Sequence, residues 1–116
     1  MKLVKISAIC VMAILVLTIL GSLATAHPPG FVIPRYGEGS LKVFIIHFSL
    51  TPKGSHYIYQ IEIDKNEQSY LLENYTNQPR FLFFSYIYTV EAEAGDELTV
   101  TAYDSLFGQK SRTIIV

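Results

Sequence analysis

The sequence predicts an all-β domain, an antiparallel sandwich of six or seven short strands, behind an apolar N-terminal segment. Two observations lead there. From residue 41 onward the hydrophobic pattern repeats every two residues, with no helical period. Turn-forming clusters then cut the chain into segments of strand length, which is the pattern of a sandwich.

The segments follow in order. Lys2 and Lys5 precede the apolar run 6–20, and GSLATA follows, with Ala24 and Ala26 spaced as in an A-x-A cleavage site. A positive start, an apolar middle and a small-residue exit describe a secretory signal peptide, residues 1–26, with His27 as the new N-terminus. The alternative is an uncleaved anchor, since 4–26 is long enough to span the ~30 Å of a bilayer core. Either way residues 27–116 are expected outside the cytoplasm, secreted or held at the cell surface. Cys10 lies too early for a lipidation site.

HPPGFVIPRYGEGS (27–40) is rich in proline and glycine and should be irregular or an edge segment, because proline cannot donate to a ladder. In LKVFIIHF (41–48), Leu41, Val43, Ile45 and His47 share one face. In YIYQIEI (57–63), alternation puts Tyr57, Tyr59, Ile61 and Ile63 on one face and Ile58, Gln60 and Glu62 on the other. DKNEQ (64–68) reads as a hairpin turn and SYLLENY (69–75) as a short strand. TNQPR (76–80) breaks the chain. FLFFSYIYTV (81–90) is one long aromatic strand or two meeting at a bend. ELTVTAY (97–103) and SRTIIV (111–116) form a hairpin around the loop DSLFGQK (104–110).

Composition narrows the function. The whole chain carries a net charge of −1. Without Lys2 and Lys5 the exported part is more acidic still, which argues against a nucleic-acid partner. The one cysteine, Cys10, leaves with the signal, so the domain has neither disulfide nor thiolate ligand. Its core must rest on packing, for which all 7 Phe and 8 Tyr are available in 27–116.

Chemistry centres on His27, His47 and His56. Imidazole is a common ligand for iron, zinc and copper, and three suffice for a site with an open position. His47 ends one strand and His56 starts the next, so the two can meet at one end of the sandwich. Ordinary strand-end histidines explain the same spacing, and no compact metal motif such as C-x-x-C or H-E-x-x-H is present. A free α-amine on His27 would let that residue chelate copper through two nitrogens. Asp104 is a further candidate ligand, although an aspartate in a turn commonly caps its own backbone. Asn74-Tyr75-Thr76 matches the N-glycosylation sequon. No nucleophile elbow, phosphate loop or redox dithiol occurs.

The stretch H-x(8)-H-Y-I-x-x-I-E-I, His47 to Ile63, resembles the iron-binding domain of superoxide reductases, the desulfoferrodoxin and neelaredoxin family. GDELTVTAYDSLFG resembles that family's strand leading into Cys-Asn-x-His-Gly, and His27 is placed like a third family histidine. The resemblance implies an immunoglobulin-like β-sandwich. In the family, four histidines and an axial thiolate hold iron. Here Asp104 stands at the cysteine position and Phe107 at the last histidine. His-Pro-Met becomes His-Phe-Ser, the loop to His56 is longer, and Ala26 replaces a lysine near the iron. A carboxylate is a harder donor than the thiolate that tunes the family's iron, and Phe107 cannot ligate.

The expectation is therefore a degenerate member: a remodelled site of His27, His47, His56 and Asp104 for iron, zinc or copper, without standard superoxide reduction. GDELTVTAYD with RTIIV also resembles the small sandwich subunit of the thiosulfate-oxidation carrier complex. The second expectation follows from it: a non-catalytic binding or structural module with a protein partner.

Overall fold

The computed structural model describes residues 10–12 and 30–116. His27, the boundary after Ala26 and nearly all of the N-terminal apolar run lie outside the described residues. Residues 10–12 are helical and exposed, and among the described residues no helix is long and apolar enough to cross a membrane.

The rest is strand. The seven are β1 (Phe31–Gly37), β2 (Ser40–Ile46), β3 (Ile58–Lys65), β4 (Gln68–Asn74), β5 (Phe83–Thr89), β6 (Glu97–Asp104) and β7 (Gln109–Ile115). One sheet has the order β1-β2-β5, the other β4-β3-β6-β7, and every pairing is antiparallel. This is an immunoglobulin-like sandwich in which the fourth strand joins the sheet of the third, sixth and seventh.

The proline-rich segment contains an edge strand. Pro34 pairs with Val43 in β1, which has a neighbour on one side only, so the missing N–H costs no ladder bond. Two tight turns close hairpins. Glu38 and Gly39 join β1 to β2, and Asn66 and Glu67 join β3 to β4. All four residues have positive φ, between 51° and 76°, the requirement of a type I′ turn. The turn expected over 64–68 thus contracts to two residues, and Asp64, Lys65 and Gln68 pair within the strands. The loop expected over 104–110 likewise contracts, because β6 runs through Asp104 and β7 starts at Gln109. FLFFSYIYTV yields one strand.

Between the sheets lie Val32, Leu41, Val43, Ile45, Phe84, Tyr88 and Val90 from one side, and Ile58, Ile61, Ile63, Leu98, Val100 and Ala102 from the other. Full burial of each Val, Leu or Ile contributes ~1.5–3 kcal/mol. One expected alternation fails. Ile58 is buried and Tyr59 is not, because the β3–β6 register shifts between Ile58 and Gln60. A bulge there reverses the facing of residues before it relative to Ile61 and Ile63. At the far end, the Tyr36 hydroxyl donates to the Val90 carbonyl (2.9 Å) and accepts the Ala92 N–H (3.2 Å). These bonds pin the segment that carries the chain from one sheet to the other.

A histidine–aspartate cluster at one rim

Three connections share one end of the sandwich: 47–57, 75–82 and 105–108. Backbone bonds tie them together. His47 N–H donates to the Leu82 carbonyl (2.9 Å), Ser49 N–H to Phe81 (2.8 Å) and Gln78 N–H to Pro52 (2.7 Å). Ser105 N–H donates to the Tyr57 carbonyl (2.9 Å), while its hydroxyl accepts Tyr57 N–H (3.0 Å) and donates to Ser55 (2.9 Å). The buried Ser49 hydroxyl donates to the His56 carbonyl and accepts Thr51 N–H, which folds the loop back on itself.

This scaffold brings His47, His56 and Asp104 together. His47 continues the buried face of Leu41, Val43 and Ile45. Asp104 pairs with Ile58 across β6 and β3, so His56, two residues earlier, reaches the same corner. His47 Nε2 stands 2.8 Å from Asp104 Oδ2 and His56 Nε2 stands 3.0 Å from the same oxygen. The two rings meet edge to face, with centroids 4.7 Å apart. His47 and Asp104 are buried; the His56 side chain is 20% exposed. Asp104 also does what an aspartate at a turn does. Its Oδ1 accepts Leu106 N–H (2.9 Å), leaving Oδ2 for the histidines.

Gln78 sets the tautomer of neutral His47. Its Nε2 donates to the carbonyls of His47 and Arg80, both at 2.8 Å. Its Oε1 therefore faces Ile58 N–H (3.2 Å) and His47 Nδ1 (2.7 Å). An amide oxygen only accepts, so Nδ1 carries a proton, and in the neutral ring Nε2 presents its lone pair to Asp104. A lone pair and a carboxylate oxygen at this distance need a proton or a cation between them. The donor atoms of His47, His56 and Asp104 all lie within 4.8 Å of one another. A cation bonded at ~2.0–2.2 Å needs donors within about 4 Å. Holding a cation there requires these donors to draw closer together.

An open cleft of ≈ 470 Å³ leads to the histidines between Phe48, Leu50, Leu82 and Leu106. Phe107, at the position of the resembled family's last histidine, is fully exposed and turned away from the cluster, with φ +70°. Of the expected ligands, the structure thus gathers His47, His56 and Asp104. Sequence reasoning missed Gln78. It lies in a polar stretch read only as a chain break, and no periodicity or motif distinguishes it from Asn77.

No family model and no curated protein matches the chain. Among solved structures it is similar to the superoxide reductase from Nanoarchaeum equitans, with a TM-score of 0.46 and 11% sequence identity over 79% of this chain and 94% of that one.

Proposed function

We propose that this protein is an extracytoplasmic metal-binding module in which His47 Nε2, His56 Nε2 and Asp104 Oδ2 hold one divalent cation. The observation that carries the reading is the bond from His47 Nδ1–H to Gln78 Oε1 (2.7 Å). Metal-bound histidines commonly donate their second ring N–H to a carbonyl or carboxylate, which orients the ring and fixes the ligating tautomer. Two imidazoles and one carboxylate suit iron(II) or zinc(II), with positions left open toward the cleft. Copper would accept the same imidazoles. The set contains no thiolate, so the electronic push of the superoxide reductase centre has no source among these residues. Export is supported by the signal-like residues 1–26. His27 lies shortly before Gly30, whose N–H bonds to the Ile46 carbonyl beside His47 (2.9 Å), and it is the candidate for an added ligand.

A second reading has its own support. The 2.8 and 3.0 Å separations are hydrogen-bond lengths, so protons alone can satisfy the cluster. The protein would then be a metal-free binding module. Titration with cobalt(II), followed by visible absorption, separates the two. The metal reading expects ligand-field bands that saturate near one equivalent and disappear in His56→Ala. Absence of bands, or bands indifferent to His56→Ala, supports the metal-free module.

A further inference from the structure

The loops around the cluster carry several of the most exposed apolar side chains of the described residues. Phe48, Leu50, Phe81 and Phe107 are 56%, 84%, 59% and 100% exposed, and they sit on three different loops. Phe48 and Phe81 meet edge to face at 6.5 Å, joining two of these loops into one apolar tip. Lys53 and Arg80 flank it, both exposed. Within 47–57, 75–82 and 105–108 there is no acidic residue. The opposite end reverses this. Glu38, Glu67, Glu91, Glu93, Asp96 and Glu97 occupy its turns and strand ends, against Lys65 alone. The loops are thus polarised in charge along the strands: those at the cluster end carry Lys53 and Arg80, and those at the opposite end are acidic.

Phe107 adds a conformational argument. A bulky non-glycine residue at φ +70° is strained, and full exposure returns nothing to the fold. Glycine or asparagine would close this turn more easily, so an aromatic ring here fits contact with something outside the domain. The chain's own connectivity indicates what. Gly30, the first described residue of the domain, is bonded to Ile46 at this same pole. Kept as an uncleaved anchor, the preceding apolar run 6–20 would set a bilayer at this pole.

We propose that this pole is a membrane-docking surface: Phe48, Leu50, Phe81 and Phe107 enter the headgroup region of an anionic bilayer while Lys53 and Arg80 pair with its charge. Partly buried apolar side chains flanked by cations are the general means by which a domain sits on a membrane without crossing it. Each basic group near an anionic surface strengthens binding about five-fold. The acidic pole is then held away from the membrane by the same field. The cleft to His47 and His56 opens beside Phe48 and Leu50, so its ligands arrive close to the membrane surface. The surface belongs to the domain itself and does not depend on metal binding.

The chain contains no tryptophan, so single substitutions report position. Full-length protein carrying Phe48→Trp, Phe107→Trp or, at the far pole, Glu67→Trp is reconstituted in phosphatidylcholine–phosphatidylglycerol vesicles with brominated acyl chains. Emission at positions 48 and 107 is expected to fall roughly two-fold or more, and at 67 to stay unchanged. Adding Phe107→Gly and Leu50→Ser to Phe48→Trp should abolish the quenching. Both changes lie at exposed positions, and the glycine relieves strain, so folding is retained and is verified by circular dichroism. Quenching at 48 and 107 no greater than at 67, or quenching that survives the double change, overturns the proposal. So does protection of these positions from aqueous iodide without bromolipid quenching, which would mean that protein, not lipid, covers them.

Discussion

Gln78 Oε1 accepts a hydrogen bond from His47 Nδ1 at 2.7 Å, across 31 residues of chain, in the buried layer beneath the cluster. The same oxygen receives Ile58 N–H, and the same amide nitrogen holds the carbonyls of His47 and Arg80. One side chain therefore does two things. It seals the ends of two strands and a loop, and it sets which nitrogen of His47 faces Asp104.

Replacing Gln78 by leucine, similar in size, leaves those buried polar groups unpaired. Each costs ~1–3 kcal/mol, partly relieved by entering water. The expected loss of stability in urea unfolding is about 3–5 kcal/mol. Metal affinity of the remaining folded protein should fall ~10–100-fold, the usual effect of removing a partner behind a ligating histidine.

The bulge in β3 predicts a phase that simple alternation gets wrong. Ile58→Ala should cost ~2–4 kcal/mol by leaving a cavity between the sheets. Tyr59→Ala should cost less than about 1 kcal/mol, because its ring lies on the outer face against Tyr103 at 6.3 Å. Equal unfolding midpoints for the two variants would contradict the register.

Glu67 occupies the second position of a type I′ turn at φ +66°, where glycine is preferred. Glu67→Gly is expected to stabilise the domain by about 0.5–1 kcal/mol, since it removes strain without removing a core contact. Thermal unfolding of the variant measures it.

High pH should unfold the domain through its tyrosines. Burial raises the Tyr86 and Tyr88 hydroxyls well above the usual tyrosine range and raises Tyr75 as well. Repulsion from Tyr75 adds to the rise at Tyr86, and the bond to Tyr75 adds to it at Tyr88. Tyr75 and Tyr88 share a 2.6 Å hydrogen bond, and the Tyr75 and Tyr86 rings stack at 4.2 Å. These groups hold their protons in the fold and lose them near pH 10 in the unfolded chain. Their contribution is thus complete below about pH 10 and is lost as pH rises further. The buried Tyr86 hydroxyl has no hydrogen-bond partner among the described residues. Tyr86→Phe should therefore stabilise by about 1 kcal/mol and flatten the alkaline decline, read from denaturation midpoints against pH.

Much of this was legible in the residues. Period-two alternation placed His47 on the buried face of Leu41, Val43 and Ile45, and all four are buried. The loop signals at Pro52 and Gly54 brought His56 back beside it. The ELTVTAY hairpin is β6 and β7, with Asp104 at its end. What escaped depends on tertiary geometry. The bulge that faces Ile58 inward arises from pairing with β6, not from the local pattern. Gln78 gains its role only because 75–82 crosses beneath His47, and a glutamine in a polar loop carries no periodic signature.

The central claim is that three side chains from β6 and the β2–β3 loop form one metal site. Metal content after equilibrium dialysis against iron(II) or zinc(II), determined by elemental analysis, tests it most directly. About one ion per chain is expected for the native protein and almost none for His47→Ala, His56→Ala and Asp104→Asn, with Asp104→Asn keeping a side-chain oxygen for Leu106 N–H. Metal-free native protein, or ions that persist unchanged in all three variants, would contradict it.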